Sequence, residues 1–259
     1  MSIEIDLSGS VALVTGISDG GLGVGIATRL AQAGADVALA YRSAEQAATE
    51  LAQRLSAGAA AGDGPVARAY QAELTDQDRV STLFDRILSE FGRLDIVINN
   101  AGVQPVAKLL DMSVDDWRSV IDANTTSTFL CTRAAAERMP DGGSITHIAS
   151  IEGHRMARGH AHYSSSKAAV LMHAKAAAVE LADRGIRVNT VSPGLIERPG
   201  LRRAWPDGVA RWEATAPLQR LGSATDVGDA CVFLASSLAS WITGADLVVD
   251  GGVSACPTW

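Results

Sequence analysis

Lysine is scarce in this chain. Of the 22 basic residues only Lys108, Lys167 and Lys175 are lysines, and the rest are arginines. Positive charge is not in surplus either: 29 acidic residues leave a net charge of -7, which argues against a basic face and against nucleic acid as a partner. The three cysteines, Cys131, Cys231 and Cys256, are odd in number and share no short spacing. That excludes a disulfide framework and reads as reduced thiols in a cytoplasmic protein. No stretch approaches the ~18–20 apolar residues that a membrane helix needs. Glu4 and Asp6 precede any long apolar run, so no secretory leader is expected.

What is present is ordinary for an ordered protein: 47% hydrophobic and 20% charged residues, with 25 glycines and 8 prolines. Short β-branched runs alternate with longer Ala-rich stretches. The pattern predicts strands near 11–15, 36–41, 66–72, 94–99, 144–150, 186–192 and 246–249. Helices are expected over 23–33, 44–56, 76–91, 113–139, 160–183 and 226–238. The strands are almost continuously apolar, as in a parallel sheet covered on both faces. The expectation is one α/β domain spanning 1–259, a doubly wound parallel sheet of about seven strands. Gly34 stands where the first helix would be capped. Residues 56–65 read as a low-complexity surface loop. Between 193 and 217 four prolines break the periodicity, predicting a long irregular connection of the kind that serves as a substrate lid.

Two short motifs fall at expected carboxyl ends of strands, where open α/β sheets bind ligands. Thr15-Gly16-Ile17-Ser18-Asp19-Gly20-Gly21-Leu22-Gly23 joins the first strand to the first helix. Glycines there permit a tight turn and bring backbone N–H groups and a helix N-terminus to a pyrophosphate. Asn99-Asn100-Ala101-Gly102 follows the fourth strand. Either could be a plain turn; the position of the first favours a dinucleotide.

Tyr163 and Lys167, four residues apart in an expected helix, share one face. A phenol with an ordinary pKa near ~10 is a poor acid–base group at neutral pH, and a neighbouring ammonium would lower it. The mundane alternative is a surface pair, although lysine is rare here. Ser150 ends the preceding strand, where a hydroxyl could meet a substrate carbonyl. Asn124, followed by Thr125 and Thr126, is unfavourable inside a helix. It is either a tolerated polar residue or the mark of a distortion that holds a water.

Taken together, and with Arg187-Val188-Asn189-Thr190-Val191-Ser192-Pro193-Gly194 and Val249-Asp250-Gly251-Gly252, these motifs resemble the short-chain dehydrogenase/reductase superfamily over essentially the whole chain. The resemblance implies a Rossmann-type domain and a nicotinamide cofactor. It makes Tyr163 the acid–base group, Lys167 the residue that lowers its pKa and binds the nicotinamide ribose, Ser150 the carbonyl-orienting hydroxyl, and Asn124 the anchor of a water relay. It also implies a homotetramer, with the helices carrying Asn124 and Tyr163 at one interface and the last strand at another.

By the same resemblance the cofactor would contact Gly16, Ser18, Asp19, Gly21, Leu22 and Gly23 in the first turn, and Arg42 and Ser43 after the second strand. Glu73 and Leu74 would meet the adenine, Asn100, Ala101 and Gly102 the far side, and Pro193, Gly194 and Ile196 the nicotinamide end beside Tyr163 and Lys167. The chain departs from the family pattern in places. Its glycine turn carries one extra residue, predicting a slight bulge. Glu73 stands where an aspartate is usual. Arg198 replaces a threonine that often binds the carboxamide, which shifts that duty to the backbone of Leu195 and Ile196. An acidic residue ending the second strand would favour NAD; Arg42 and Ser43 favour NADP(H), with Asp19 as the opposing sign.

His147, His154, His160 and His162 cluster near Tyr163 in sequence, but no third ligand has metal-like spacing, so no metal is expected. Trp205 and Trp212 in the proposed lid, with Trp259 at the end, suggest a flat apolar pocket or an intersubunit contact. The Arg-rich, Lys-poor composition and the motif set are similar in type to ketoreductases of aromatic polyketide biosynthesis, including the angucycline type. That implies a polycyclic ketone reduced with NADPH. The alternative is a 3-oxoacyl-[acyl-carrier-protein] reductase, with Arg155, Arg158, Arg202 and Arg203 facing an acidic carrier, or a reductase or dehydrogenase of another small carbonyl or alcohol. A serine hydrolase is disfavoured because Ala149-Ser150-Ile151 lacks a nucleophile elbow. A non-enzymatic member would normally lose Ser150, Tyr163 or Lys167. An enoyl reductase would set tyrosine and lysine further apart.

Overall fold

The computed structural model describes residues 5–58 and 64–256. Seven strands, β1 (Val11–Thr15), β2 (Asp36–Tyr41), β3 (Ala67–Gln71), β4 (Ile96–Asn99), β5 (Ser144–Ile148), β6 (Arg187–Pro193) and β7 (Asp246–Val249), form one sheet in the order β3-β2-β1-β4-β5-β6-β7. Every pairing is parallel. The chain starts at β1, moves outward to β3, then returns to lay β4 on the other side of β1. Its direction of travel reverses there, which opens a crevice beyond the carboxyl ends of β1 and β4.

Alternation along the strands divides the core. Ala12, Val14, Ile96 and Ile98 face the helices α1 (Leu22–Gln32), α2 (Glu45–Leu55) and α9 (Ala224–Ala235). Val11, Leu13 and Val97 face α3 (Gln77–Phe91), α5 (Ser127–Arg138) and α6 (Ala161–Glu180). Covering both faces explains why the strand sequences lack polar alternation. Each wholly buried side chain of the size of Leu13 or Ile98 contributes about 1.5–3 kcal/mol.

Polar side chains set several helix starts: Asp76 caps α3, and Ser113 and Ser223 form reciprocal capping boxes at α4 (Val114–Ile121) and α9. α1 is different. Its N-cap is Gly21, no side chain caps it, and its first turn contains no acid. Its leading N–H groups are left for something else to satisfy.

The expected 113–139 helix exists but is not uniform. Residues Asp122–Thr126 form a π-helical segment between α4 and α5, centred on buried Asn124. The expected irregular connection over 193–217 needs correction, because it contains α7 (Leu201–Ala204) and α8 (Pro206–Thr215). Pro206 sits in the first turn of α8, where its missing N–H costs nothing. The expected 56–65 loop lies partly, and Trp259 wholly, outside the described residues. No helix among the described residues is long and apolar enough to cross a membrane.

Candidate active site

A cleft of about 1250 Å³ opens at the switch point. Gly16, at φ +77°, begins its floor. A Cβ there would stand 2.6 Å from Ala101 Cα, so a side chain cannot fit between the two loops. Thr15, buried beneath them, takes backbone N–H groups of both Asn100 and Ala101 on Oγ1, each at 3.0 Å. Asn100 returns its amide to the carbonyls of Thr15 and Gly16. The two sequence motifs are therefore one hydrogen-bonded unit, and Thr15 is the residue that joins them.

The extra residue of the glycine turn is absorbed at Gly20, which adopts φ +58° against the ring of Pro199. Ser18 folds back over Gly21, and Gly21 N–H donates to Ser18 O at 3.1 Å. Gly16, Ser18, Gly21 and Leu22 line the cleft, as do Arg42, Ser43, Glu73, Leu74, Asn100, Ala101, Gly102, Pro193, Gly194 and Ile196. Two expected contacts are not in its wall. Asp19 is exposed outside it, and Gly23 is buried under the turn, packed on Asn100 and Gly16. Asp19 thus loses its weight as a sign against a phosphate.

A dinucleotide fits this wall. Bare Cα atoms give it room, the uncapped start of α1 faces it, and no carboxylate pairs with Arg42 among the described residues. At the other end, Ile196 bridges to Gly222 through the bonds of its neighbours, Gly222 N–H to Leu195 O and Glu197 N–H to Gly222 O. Leu195 has spent its carbonyl. The N–H and C=O of Ile196 are the pair left for a carboxamide.

The far wall carries Ser150, Tyr163 and Lys167. Ser150 leaves β5 in extended conformation and accepts from Glu152 N–H at 3.1 Å. Its hydroxyl lies near enough to the phenol of Tyr163 to draw that group's pKa down. Lys167, one turn along α6, is buried and donates from Nζ to Ile148 O at 2.7 Å. Burial pushes this ammonium down to about 8. The Tyr163 phenol is pushed up to about 12, first by burial, relieved by the Ser150 hydroxyl and reinforced by the Glu152 charge. The expected lowering by Lys167 is not seen: Nζ lies 5.7 Å from the ring centre, and desolvation prevails. Tyr163 is a protonated group at neutral pH.

Asn124 is wholly buried. Its Oδ1 accepts from Val103 N–H at 2.7 Å, and its Nδ2 donates to Val103 O and Ser166 Oγ. The amide clamps the strand-end loop to α6. The histidines diverge. His162 is buried with Nδ1 on Tyr163 N–H, whereas His160 turns Nδ1 onto Glu152, 2.8 Å away. Glu152 and Gln104, which line the cleft beside Tyr163, escaped the sequence reading, since neither belongs to a motif.

A doubly wound sheet, a glycine-walled cleft at its switch point and a Ser–Tyr–Lys group opposite describe an oxidoreductase acting on CH–OH or C=O. Residues 16–254 match the family model described as "Enoyl-(Acyl carrier protein) reductase". The chain belongs to this family of the short-chain dehydrogenase/reductase superfamily. It is 37% identical over 257 residues to 3beta-hydroxysteroid dehydrogenase 1 of Eggerthella lenta, covering 97% of this chain and 96% of the relative. It is also 37% identical to 3-oxoacyl-[acyl-carrier-protein] reductase of Synechocystis sp., covering 95% and 98%. A solved short-chain type dehydrogenase/reductase from Mycobacterium marinum superposes with a TM-score of 0.88 at 40% identity over 98% of both chains.

Proposed function

We propose that the protein is an NADPH-dependent ketoreductase whose substrate is a ketone on a flat polycyclic frame, as in aromatic polyketides. The observation that carries the reaction is the placement of Ser150, Tyr163 and Lys167 on one wall, opposite the glycine turn and Arg42. Ser150 holds the carbonyl oxygen, and Tyr163 donates the proton that the nascent alkoxide takes up. Lys167 anchors the cofactor ribose, and Asn124 fixes the loop that carries Gly102 and Val103. The nicotinamide, when bound, supplies the hydride. Arg42, with planar donors and Ser43 beside it, is the chemistry of a 2′-phosphate.

The substrate reading rests on the wall formed by Trp205, about half exposed, and Trp212, packed on Gly194. A relative named for a polycyclic substrate supports it. The 193–217 segment acts as a lid in this reading. The second reading, a 3-oxoacyl-[acyl-carrier-protein] reductase, is supported by relatives of that name, although Arg202, one of the four arginines expected to face the carrier, is held between Glu197 and Glu213. A homotetramer is part of the proposal. Leu110 beside α4 and Trp241 beside β7 are almost fully exposed, and Leu109, Trp117, Leu247 and Val248 are exposed in part. The test is turnover of NADPH with polycyclic aromatic ketones beside 3-oxoacyl thioesters. Fast reduction of thioesters with inert polycyclic ketones would overturn the substrate reading.

A further inference from the structure

Beside Tyr163 the cleft wall carries a polar cluster that the reduction itself does not use. Glu152 accepts from Gln104 Nε2 on Oε1 at 3.0 Å, and its Oε2 faces His160 Nδ1 at 2.8 Å and Ser164 Oγ at 3.4 Å. The His160 ring stands edge-on to the Tyr163 ring, 5.9 Å between centres. Gln104, Glu152 and His160 all line the cleft. Glu152 is also tied to Ser150 through its own N–H, so the cluster is held in register with the carbonyl-binding hydroxyl.

The hydrogen-bond inventory decides what this cluster recognises. An ionised carboxylate only accepts, so the proton shared with Glu152 belongs to His160 Nδ1. Neutral His160 then presents a lone pair at Nε2. Gln104 spends one of its two amide N–H groups on Glu152 and keeps its carbonyl oxygen. The cluster thus offers two acceptors, His160 Nε2 and Gln104 Oε1, beside the Glu152 carboxylate. Such a cluster welcomes a neutral hydroxyl donor.

We propose that Gln104, Glu152 and His160 are specificity-determining residues that select a ketone bearing a hydroxyl on a carbon close to the carbonyl. The inference rests on the ketoreductase reading above. The hydroxyl donates to His160 Nε2 or Gln104 Oε1 while Ser150 and Tyr163 hold the carbonyl. A site built to bond a hydroxyl rejects the analogue that lacks it, because its own polar groups are then left unpaired.

The experiment compares kcat/KM with NADPH for a bicyclic aromatic ketone, tetralone, and its α- and β-hydroxy derivatives, in the parent enzyme and in His160→Phe, Gln104→Leu and Glu152→Gln. Cofactor binding by fluorescence checks that each variant is folded. The parent should favour a hydroxy ketone by about tenfold or more. That ratio should fall toward one in His160→Phe and Glu152→Gln, chiefly through KM, and partly in Gln104→Leu. A parent ratio near one, or a ratio that none of the variants changes, overturns the assignment and leaves the ketoreductase reading standing. Failure of the parent to reduce any of these ketones, or their 3-oxoacyl counterparts, overturns the ketoreductase reading and this inference with it.

Discussion

The ammonium of Lys167 stands 5.7 Å from the centre of the Tyr163 ring and is tied at 2.7 Å to the carbonyl of Ile148. The tie positions the lysine from the strand side rather than through the phenol. Burial acts on the two groups in opposite senses, holding the proton on Tyr163 and loosening it on Lys167.

A pH dependence follows. Folded Lys167 titrates at about 8 against 10.5 for an unburied lysine. Its charge is complete below that value and lost as pH rises through it, so kcat/KM for NADPH should fall on the alkaline side. Stability should move the other way. Between the two values the unfolded chain binds the extra proton, so unfolding free energy rises with pH there from this group. Paired pH profiles of kcat/KM and of chemical denaturation check it. An activity profile flat across this window would contradict the assignment.

Arg42→Asp should reverse cofactor preference. The substitution removes the guanidinium and places a carboxylate against a 2′-phosphate, at a site where Asp19 already lies outside the cleft. Paired kcat/KM values for NADPH and NADH should shift toward NADH by about tenfold or more. Unchanged selectivity would place phosphate recognition elsewhere.

Gly16→Ala should cost both stability and cofactor binding. The new Cβ would meet Ala101 Cα at 2.6 Å from a backbone at φ +77°. The strain amounts to about 1–3 kcal/mol, read as a lowered Tm together with loss of NADPH binding. A variant with parental Tm and affinity would show that the two loops are not packed this closely.

Sequence made some of this legible and left some hidden, for local reasons. Continuous apolar strands and the Gly16–Asn100 motifs mark the sheet and its switch point, because backbone geometry there demands specific residues. The polar run Asn124-Thr125-Thr126 marks the π-helical segment for the same reason. The helices α7 and α8 were obscured by Pro199 and Pro206, although a proline in the first turn is itself a helix-start signal. Glu152 and His160 both precede Tyr163 in the chain, but Gln104 lies 48 residues before Glu152. Only the fold brings them together, so no spacing could announce them.

Trp205→Ala should raise KM for a polycyclic ketone more than for a small monocyclic one. Trp205 is half exposed at the cleft and stacks over Gly208, so its removal takes apolar area from the substrate wall without emptying the main core. The effect should be about three- to tenfold in KM. Equal losses for both ketones would indicate general damage to the segment instead.

The most direct test of the proposed chemistry is Tyr163→Phe, which removes one hydroxyl from the group formed with Ser150 and Lys167. Ketone-dependent NADPH oxidation at saturating cofactor should fall by at least ~100-fold, while NADPH titrated by fluorescence binds as in the parent. Near-parental turnover by this variant, with cofactor bound normally, would contradict Tyr163 as the proton donor.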